Sequence, residues 1–317
     1  MVLTVTLSPC LDVEVSVPVV EPERKLRCTD QHVAPGGGGL NVARVVSRFG
    51  GPTLAAFPIG GEPGRRVRER MEAEGVPCET ITTAQATREN LIIRETSTGH
   101  QFRFMLAAPS LSGDELRSLS SVVRHHARFH RHVVLSGSVP DGVDRSYLVS
   151  LIDAIHRAGA EAIVDTSGPA LLDAARAGAL LLKPSRRELS DATGRTLSTN
   201  AEVVDAARLL LAAGSTQAIL VSLANQGALL VERGSVVRFG AAPVEVRSSV
   251  GAGDSMVAGV VVALERGESL EAAARFGVAC GTATVTRRGS ALCRPRDVAE
   301  VVSLVTTDLT EAIMFGR

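Results

Sequence analysis

Residues 132–165 read HVVLSGSVPDGVDRSYLVSLIDAIHRAGAEAIVD and hold two apolar runs with a helical stretch between them. The runs, HVVLSG at 132–137 and AEAIVD at 160–165, do not alternate, which is typical of strands covered on both faces. The stretch VDRSYLVSLIDAIHRAG at 143–159 has helical spacing and ends in glycine, as helices commonly do. The whole unit predicts two parallel strands joined by a helix.

The same alternation recurs along the chain. Further apolar runs occupy 2–7, 53–58, 179–183 and 217–222, and NAEVVDAARLLLAAG at 200–214 again has helical spacing. Alternating strands and helices indicate an α/β protein with a mostly parallel, doubly wound sheet, which is a three-layer α/β/α arrangement. Because no linker, low-complexity tract or internal repeat interrupts this rhythm, we expect residues 1–317 to form a single domain.

Two segments break the alternation of strands and helices. Residues 12–34 and 88–107 alternate apolar with polar residues, and the second segment has a turn signal at Ser97, Thr98 and Gly99. We expect these segments to form antiparallel strands with one solvent-facing side, as a small β-sheet lid over the end of the parallel sheet. After Arg294 the chain predicts a surface helix with a frayed end.

Composition narrows the classes of partner. Lysine plus arginine and aspartate plus glutamate number 34 each, so no net charge draws in nucleic acid or an anionic membrane surface. No apolar run approaches the ~20 residues that span a bilayer, and MVLTVTLSPCLD at the N-terminus reads as a first strand rather than a signal peptide. The five cysteines lack C-x-x-C spacing, which favours reduced thiols and a cytoplasmic location.

The stretch VRSSVGAGDSMVAGVV at 246–261 places glycines directly before an acid at the start of an apolar helix. The first backbone N–H groups of a helix have no internal partner and lie at the positive end of its dipole. Glycines let this backbone approach a phosphate closely. Asp254 is then suited to take a proton from a hydroxyl while those N–H groups hold the charge of a transferred phosphoryl group. From this stretch alone, a tight turn followed by an acid that the dipole favours is the alternative.

A second glycine cluster opens the stretch APGGGGLNVARVVSRFGG at 34–51, and the residues after the glycines have the pattern of an amphipathic helix. Four consecutive glycines exceed what a turn needs, and they expose backbone N–H groups and leave room for a ligand. Asn41 is a hydrogen-bonding group among apolar neighbours in the first turn of that helix. A simple turn and helix cap is the competing interpretation.

The two clusters, PGGGGLNVAR near the start and VGAGDSMVAG in the last third, resemble the paired signatures of the phosphofructokinase B family of ribokinase-like carbohydrate kinases. The resemblance runs over most of the chain, through LSPCLD at 7–12, LSGSVPDGV at 135–143 and LLKPSRREL at 181–189. Within the family, PERKLRC at 22–28 and the four-glycine run resemble the minor-type ATP-dependent 6-phosphofructokinases. The resemblance implies a ribokinase-like fold and phosphoryl transfer from MgATP to a sugar hydroxyl.

The resemblance also assigns residues to the reaction and to the sugar. It implies that Asp254 is the base and that the anion hole is made by Gly251, Ala252 and Gly253. It implies sugar contacts from Asp12, Gly37, Gly38, Asn41 and Ser138. Cations that would bind a 6-phosphate are Arg88, Lys25 and Arg27, all in the lid segments. For each of these cations a solvated surface charge is the alternative, and for Ser138 the alternative is a turn or helix cap.

For the nucleotide, the resemblance points to two short motifs. KPSRRE at 183–188 and SLANQG at 222–227 would supply contacts from Lys183, Ser185, Glu188, Ser222 and Gly227. Glu188 would order Mg²⁺ through water. The family usually has asparagine where Ser185 stands and glycine where Ala224 stands, so we expect Mg²⁺ or phosphate binding to differ here. Because the chain has no Trp and one Tyr, aliphatic side chains are expected to hold the adenine.

A monovalent-cation loop beside the anion hole is a further family feature. The resemblance takes its ligands from around Ser248, Val250, Thr284 and Gly289. Arg287 and Arg288 stand where the family has a small or amide residue. A guanidinium in the place of the cation argues against K⁺ dependence.

The resemblance implies fructose 6-phosphate as the sugar. Activity on fructose 1-phosphate or tagatose 6-phosphate is the alternative, because these sugars differ only in the position of the phosphate or in one hydroxyl. A non-catalytic module that senses a sugar phosphate or ATP is an alternative of another class, against which the intact run from Gly251 to Asp254 speaks. A homodimer through the apolar face of the lid is the expected assembly.

Overall fold

A computed structural model describes residues 1–310. The strands are β1 (Val2–Val5), β2 (Cys10–Val17), β3 (Thr29–Gly36), β4 (Thr53–Ile59), β5 (Cys78–Thr82), β6 (Arg88–Glu95), β7 (Gln101–Phe104), β8 (His132–Ser136), β9 (Glu161–Asp165), β10 (Leu181–Leu182), β11 (Ala218–Ser222), β12 (Ala228–Glu232), β13 (Val236–Gly240) and β14 (Thr306–Thr310). The α-helices are α1 (Gly38–Arg48), α2 (Gly61–Ala73), α3 (Gly113–Ala127), α4 (Arg145–Arg157), α5 (Pro169–Ala177), α6 (Arg186–Thr193), α7 (Asn200–Ala212), α8 (Ala252–Glu265), α9 (Leu270–Val285) and α10 (Pro295–Val301).

The large sheet has the strand order β14-β13-β12-β11-β10-β9-β8-β1-β4-β5. The strands from β11 to β5 in this order are all parallel, and β12, β13 and β14 add antiparallel strands at one edge. The predicted strand–helix–strand unit is β8, α4 and β9, with His132 opposite Glu161 in parallel register. The predicted mostly parallel sheet is therefore confirmed.

Helices cover both faces of this sheet. One core cluster packs the sheet against α3, α4, α5 and α7, and the other packs it against α1, α8, α9 and α10. In β8, Val133 and Leu135 belong to the first cluster and Val134 to the second. Neighbouring residues of one strand are thus buried on opposite sides, which explains why the strand sequences are apolar without alternation. The three-layer α/β/α arrangement is confirmed.

A separate four-stranded sheet has the order β3-β2-β6-β7. It contains the segments expected to form the small sheet, and the turn signal at 97–99 lies in the connection between β6 and β7. The outer pairs are antiparallel as expected, but the expectation is wrong for the central pair, because β2 and β6 run parallel. The reason is topological: β2 follows β1 and β6 follows β5, and β1 and β5 run in the same direction in the large sheet.

The C-terminal segment departs from the expectation of one surface helix. A helix is present at Pro295–Val301, but Thr306–Thr310 forms β14, which pairs with β13 along the edge of the large sheet. Its β-branched threonines suit a strand, and the unpaired edge of β13 supplies the hydrogen-bonding partner. The remaining seven positions of the prediction, 311–317, lie outside the described residues. No described helix combines the length and apolarity that crossing a bilayer needs.

Candidate active site

The N-termini of α1 and α8 meet at the carboxyl edge of the parallel strands. The Asn41 side chain, from the second turn of α1, donates from Nδ2 to Oδ2 of Asp254 in the first turn of α8 at 2.8 Å. Ser136 and Asp165 are the last residues of β8 and β9, and Lys183 follows β10; these three strands are neighbours in the sheet. Because parallel strands end at the same edge, these side chains and the two helix ends face one another.

The glycine–acid stretch forms a helix N-terminus, as the sequence predicts. Gly251 precedes α8 in the left-handed region at φ 73°, where a side chain is strained. The N–H groups of Gly253 and Asp254 donate to no acceptor within residues 1–310, whereas the N–H of Ala252, which was predicted for the anion hole, donates to the carbonyl oxygen of Ser249 at 3.4 Å. These two groups lie at the positive end of the α8 dipole and are available to an anion.

Asp254 carries a perturbed carboxyl group. Burial is the main cause, and together with the nearby carboxylates of Asp165 and Asp12 it raises the pKa of Asp254 from 3.8 to about 6. The hydrogen bond from Asn41 and the charge of Lys183 act in the opposite direction and lower this pKa. A carboxyl group with a pKa close to neutrality is well matched to accepting a proton from a substrate hydroxyl.

Lys183 lies beside the helix N-terminus. Its Nζ is 3.0 Å from Oδ1 of Asp165, and the lysine is only 5% exposed. Burial alone would lower the pKa of Lys183, but Asp165, Glu188 and Asp254 hold it above its ordinary value, so the ammonium stays charged. A Cβ added to Gly253 would lie 3.1 Å from Nζ, so a side chain here would push the lysine away from the helix N-terminus by a few tenths of an ångström.

Two cavities adjoin this helix end and share one lining residue, Gly253. The first measures about 280 Å³ and is polar, with Ser136, Ser138, Asp165, Lys183, Glu188 and Asp254 in its wall. The second measures about 510 Å³ and is mainly apolar, with Pro243, Val244, Val246, Met256, Val278 and Val285 in its wall. An apolar group and a polar group that occupy the two cavities therefore meet at the α8 N-terminus.

Asp12 and Asn90 lie side by side in the small sheet, opposite each other on β2 and β6. Asn90 Nδ2 donates to Oδ1 of Asp12 at 2.8 Å, and the Cys10 thiol donates to the same oxygen at 3.2 Å. Oδ2 of Asp12 lies close to Gly36, where an added Cβ would be 2.3 Å away. Asp12 is thus oriented by two donors and keeps one oxygen for other partners.

The four-glycine run serves packing as well as exposure of the backbone. An added Cβ at Gly38 would lie 2.2 Å from Oγ of Ser136, and one at Gly39 would lie 2.8 Å from the carbonyl oxygen of Val5. The close approach of α1 to β1 and β8 therefore accounts for two of the glycines. Gly37 precedes α1 at φ 119°, where glycine is favoured.

The three predicted phosphate-binding cations are not equally placed. Arg88 begins β6 and donates to the carbonyl oxygens of Leu106 at 2.9 Å and Ser8 at 3.5 Å. Its buried Nε has no partner within the described part of the chain. Lys25 and Arg27 are exposed in the connection between β2 and β3 and make no hydrogen bond or ion pair to any residue between 1 and 310. The structure does not bring these two cations to the other site residues.

Ser185 caps the N-terminus of α6, a role that its place in the family motif did not predict. Its hydroxyl accepts from the N–H of Glu188 at 3.2 Å, and its own N–H donates to Oε2 of Glu188 at 2.7 Å. This capping box begins α6 and ties back one carboxylate oxygen of Glu188. The other oxygen makes no hydrogen bond to residues 1–310, and Glu188 lines the polar cavity.

The second nucleotide motif lies at the apolar cavity. Ser222, Ala224 and Gly227 all belong to its wall. Ala224 has φ 54° in the left-handed region, and Gly227 has φ 91°. The backbone here follows a path suited to glycine at both positions, although alanine stands at the first.

The predicted cation loop lies beside the helix end. Ser248 Oγ accepts from the N–H of Val250 at 3.3 Å, and the carbonyl oxygen of Thr284 accepts from the N–H of Arg287 at 3.0 Å. Gly289, at φ 60°, lies against the Glu14 carboxylate. The guanidinium of Arg287 is bound by Asp297 at 3.2 Å, whereas Arg288 lines a separate surface cavity.

Three residues in or beside the site were not predicted from the sequence: Asp165, Asn90 and Arg44. Asp165 had a usable signal, because it ends the apolar run AEAIVD and carboxyl ends of parallel strands form sites. Asn90 and Arg44 had none, because their importance depends on which side chains they contact: Asp12 for the first and Asn41 for the second.

Known proteins are similar to this chain over most of its length. A family model described as pfkB family carbohydrate kinase matches residues 7–297. The ATP-dependent 6-phosphofructokinase isozyme 2 of Mycobacterium tuberculosis is 40% identical over 303 residues, which cover 96% of this chain and 89% of that protein. The 1-phosphofructokinase of Haloferax volcanii is 32% identical over 304 residues and covers 96% of each chain.

A solved structure is similar over nearly its whole length. Phosphofructokinase-2 from Escherichia coli in complex with potassium superposes with a TM-score of 0.91 at 38% identity, covering 95% of this chain and 98% of that one. The tetrameric inhibited form of the same Escherichia coli protein superposes with a TM-score of 0.89, with the same identity and coverage.

Proposed function

The chain belongs to the pfkB family of carbohydrate kinases, and we propose that it is an ATP-dependent 6-phosphofructokinase that phosphorylates the 1-hydroxyl of fructose 6-phosphate. One observation carries the proposal: the Asp254 carboxyl group, with its pKa raised to about 6, stands beside unpaired N–H groups where a polar and an apolar cavity meet. The similarity to 6-phosphofructokinases at 38–40% identity supports this choice of sugar.

The two cavities suit the two reactants. In the proposal the adenine lies in the apolar cavity among aliphatic side chains, including Val244 and Val278, and the phosphates extend toward Gly253. The sugar lies against the small sheet and α1. There the Asp12 carboxylate accepts hydrogen bonds from hydroxyl groups, and the Asn41 amide can both accept and donate them. The acceptor hydroxyl and the outermost phosphorus would meet beside Asp254.

The chemistry then needs one proton acceptor and a stabilised phosphoryl group. Asp254 takes the proton of the 1-hydroxyl while the oxygen of that hydroxyl bonds to the γ-phosphorus. The bond from the γ-phosphorus to the β,γ-bridging oxygen of ATP breaks at the same time. The N–H groups of Gly253 and Asp254 and the ammonium of Lys183 face the negative charge of the transferred group. The products are fructose 1,6-bisphosphate and ADP.

The residues of the polar cavity are compatible with Mg²⁺. Asp165 and Glu188 supply carboxylate oxygens, the hard donors that Mg²⁺ prefers. Within residues 1–310, no three His, Cys, Asp or Glu side chains are grouped to hold a metal by themselves. This fits an ion that keeps its waters and the phosphate oxygens of ATP, with Glu188 contacting its water shell. When bound, Mg²⁺ would supply charge neutralisation at the phosphates.

For the 6-phosphate we propose Arg88 as the main cation, because its buried Nε still lacks a partner in the part of the chain that the structure describes. Lys25 and Arg27 would contribute only when the connection between β2 and β3 closes over the sugar. In this proposal the small sheet acts as a lid.

We also propose a homodimer through the small sheet. Apolar side chains of β6, β7 and the residues after β7 are exposed, namely Leu91, Phe102, Phe104, Met105 and Leu106. A second copy of this surface is the proposed cover, because its strands offer both apolar area and an open edge. Sedimentation equilibrium tests it: Phe104→Glu should dissociate the dimer, whereas Phe129→Glu, at an exposed residue after α3, should not. A monomeric wild type would contradict the proposal.

The function is tested by steady-state specificity constants with ATP. Fructose 6-phosphate, fructose 1-phosphate and tagatose 6-phosphate are compared, and we expect fructose 6-phosphate to give the highest kcat/KM. A higher value for fructose 1-phosphate would favour a 1-phosphofructokinase, the activity of the Haloferax volcanii relative. Asp254→Asn should lower kcat by ~10²–10⁴. Unchanged turnover in this variant, or no transfer to any of the three sugars by the wild type, would overturn the proposal.

A further inference from the structure

A buried arginine lies directly behind the residue that contacts Asp254. Arg44, one turn after Asn41 on α1, is 5% exposed and donates from Nη1 to Oδ1 of Asn41 at 3.2 Å. The other end of the same amide, Nδ2, donates to Asp254 at 2.8 Å. Arg44, Asn41 and Asp254 therefore form a continuous row of hydrogen bonds.

The guanidinium of Arg44 is held on every side. Its Nε and Nη2 donate to the Glu74 carboxylate at 3.0 and 2.7 Å, and Nη1 also donates to the carbonyl oxygen of Pro35 at 3.2 Å. Although burial alone would raise the pKa of Glu74, its bonds to Arg44 and Arg48 hold this pKa below its ordinary value, so Glu74 is a carboxylate. A paired, bidentate guanidinium has a fixed orientation.

An asparagine amide has an acceptor end and a donor end of nearly the same shape. Arginine has only donors, so a fixed guanidinium can form a hydrogen bond to the Asn41 amide only when Oδ1 faces it. Nδ2 must then point to the opposite side, where Asp254 lies. The Asp254 carboxylate favours the same orientation, because the rotated amide would place Oδ1 against it, where two acceptors repel. The guanidinium strengthens this preference, and it maintains the orientation when Asp254 is protonated and could itself donate to Oδ1.

We propose that Arg44, fixed by Glu74, is a positioning residue that sets the amide orientation of Asn41 and thereby the donor that faces the base of the reaction. The proposal rests on the proposed role of Asp254. It extends the reaction machinery to residues that lie away from both cavities and touch neither reactant.

The effect on the carboxylate has a definite direction. Asp254 is faced by Asn41 from α1, by Lys183 after β10, by Asp165 at the end of β9 and by Asp12 from β2. Of these groups, Asn41 and Lys183 favour the ionised form, and the two carboxylates disfavour it. Loss of the Asn41 donor leaves Lys183 as the remaining favourable group, so more Asp254 is protonated at a given pH.

A double-mutant cycle separates positioning from a general structural role. Arg44→Met, Asn41→Ala and the double variant are compared with the wild type by kcat/KM for fructose 6-phosphate. We expect Arg44→Met to lower kcat/KM by about tenfold, the effect of one hydrogen bond. In the Asn41→Ala background the same change should have an effect below about twofold, because its target is gone. Equal effects in both backgrounds would overturn the proposal.

Arg48 provides the matched control. It also donates to Glu74, at 3.0 Å, but its other end faces the carbonyl oxygen of Leu292 rather than Asn41. Arg48→Met should leave kcat/KM within about twofold of the wild type. We expect kcat to fall at low pH as Asp254 becomes protonated. In Arg44→Met this fall should begin at a higher pH than in the wild type, and in Arg48→Met it should begin at the same pH. Equal displacement in both variants would contradict the assignment.

A second variant separates a failure to fold from the loss of the positioning role. If Arg44→Met does not fold, Arg44→Lys is taken through the same cycle, because an ammonium can pair with Glu74 but cannot also span to Asn41 in the same geometry. If the wild type transfers phosphate and Asp254→Asn abolishes transfer, the proposed function stands even where the cycle is additive. Additivity would then reject only the role of Arg44.

Discussion

The side-chain nitrogen Nδ2 of Asn41 lies 2.8 Å from Oδ2 of Asp254, 213 residues away in sequence, and this bond joins the N-terminal ends of α1 and α8. Burial and two neighbouring carboxylates disfavour the ionised form of Asp254, and this hydrogen bond offsets part of that effect. The balance leaves a carboxyl group with a pKa of about 6.

The pH dependence of the reaction follows from this balance. In the proposed mechanism Asp254 must be unprotonated to accept the hydroxyl proton. Because its pKa is about 6, kcat/KM for the sugar should fall roughly tenfold per pH unit below pH 6. Initial rates between pH 5 and 9 at constant ionic strength measure this limb.

The phosphate of the sugar also titrates near pH 6, so the same series is run with Asn41→Ala. The hydrogen bond from Asn41 lowers the pKa of Asp254, so its loss should move the limb to higher pH. Titration of the sugar phosphate would not move with this substitution. A limb at the same pH in both proteins would assign it to the substrate.

The same carboxyl group should reduce the stability of the folded protein. Its pKa is raised from 3.8 to about 6 on folding, so the folded state holds more protons between these values than the unfolded state does. Stability relative to an uncharged side chain is therefore lost as the pH rises through this window. At pH 8, Asp254→Asn should be more stable by up to about 3 kcal/mol, given about 1.4 kcal/mol per pKa unit.

Urea unfolding at pH 8 and pH 4 measures this difference. The gain should be largest at pH 8 and close to zero at pH 4, where Asp254 is protonated in the folded state. Asp153→Asn, at an exposed position of α4, is the control and should change stability by less than about 0.5 kcal/mol at either pH. A gain that does not depend on pH would show that the charge of Asp254 is not its cause.

Breaking the Lys183–Asp165 pair should destabilise the protein, because both charged groups are buried. The side chains are 6% and 13% exposed, and Nζ lies 3.0 Å from Oδ1. Lys183→Met leaves Asp165 without its counter-charge, which should lower the free energy of unfolding by about 3–5 kcal/mol. Adding Asp165→Asn should recover part of this loss. Arg68→Met breaks an ion pair to Glu72 whose side chains are 48% and 45% exposed, and it should cost less than about 1 kcal/mol. Equal losses in the two single variants would contradict this account.

Local patterns in the sequence predicted the elements that form the candidate site. The run from Gly251 to Asp254 precedes an apolar helix, and the structure places it at the N-terminus of α8. The continuous apolarity of residues 132–136 and 161–165 predicted two parallel buried strands, which are β8 and β9. These features depend on residues close together in sequence, where spacing and helix-end chemistry are sufficient.

Long-range pairings could not be predicted in the same way. Arg44 reads as one polar position of an amphipathic helix, and only the fold brings Glu74 to it from the end of α2. The parallel pairing of β2 with β6 depends on the direction in which β1 and β5 leave the large sheet. Strands β12 and β13 were not identified, although residues 228–231 form a buried apolar run, because no helical stretch separates them from β11 and from each other.

Ala224 offers a test of strain at the apolar cavity. It adopts φ 54°, and an alanine in the left-handed region is disfavoured by roughly 1–2 kcal/mol. Glycine removes this penalty but raises the entropy of the unfolded chain by roughly 0.5–1 kcal/mol. Ala224→Gly should therefore increase the free energy of unfolding by about 0.5–1 kcal/mol in urea titrations.

The matched control for Ala224→Gly is Ala212→Gly at the exposed end of α7, where the backbone is helical. That change should decrease stability by up to about 1 kcal/mol, because glycine is a poor helix former. Opposite signs for the two alanines would follow from backbone conformation alone, since both substitutions remove one methyl group. A loss of stability in Ala224→Gly would mean that its methyl group makes contacts that outweigh the relief of strain.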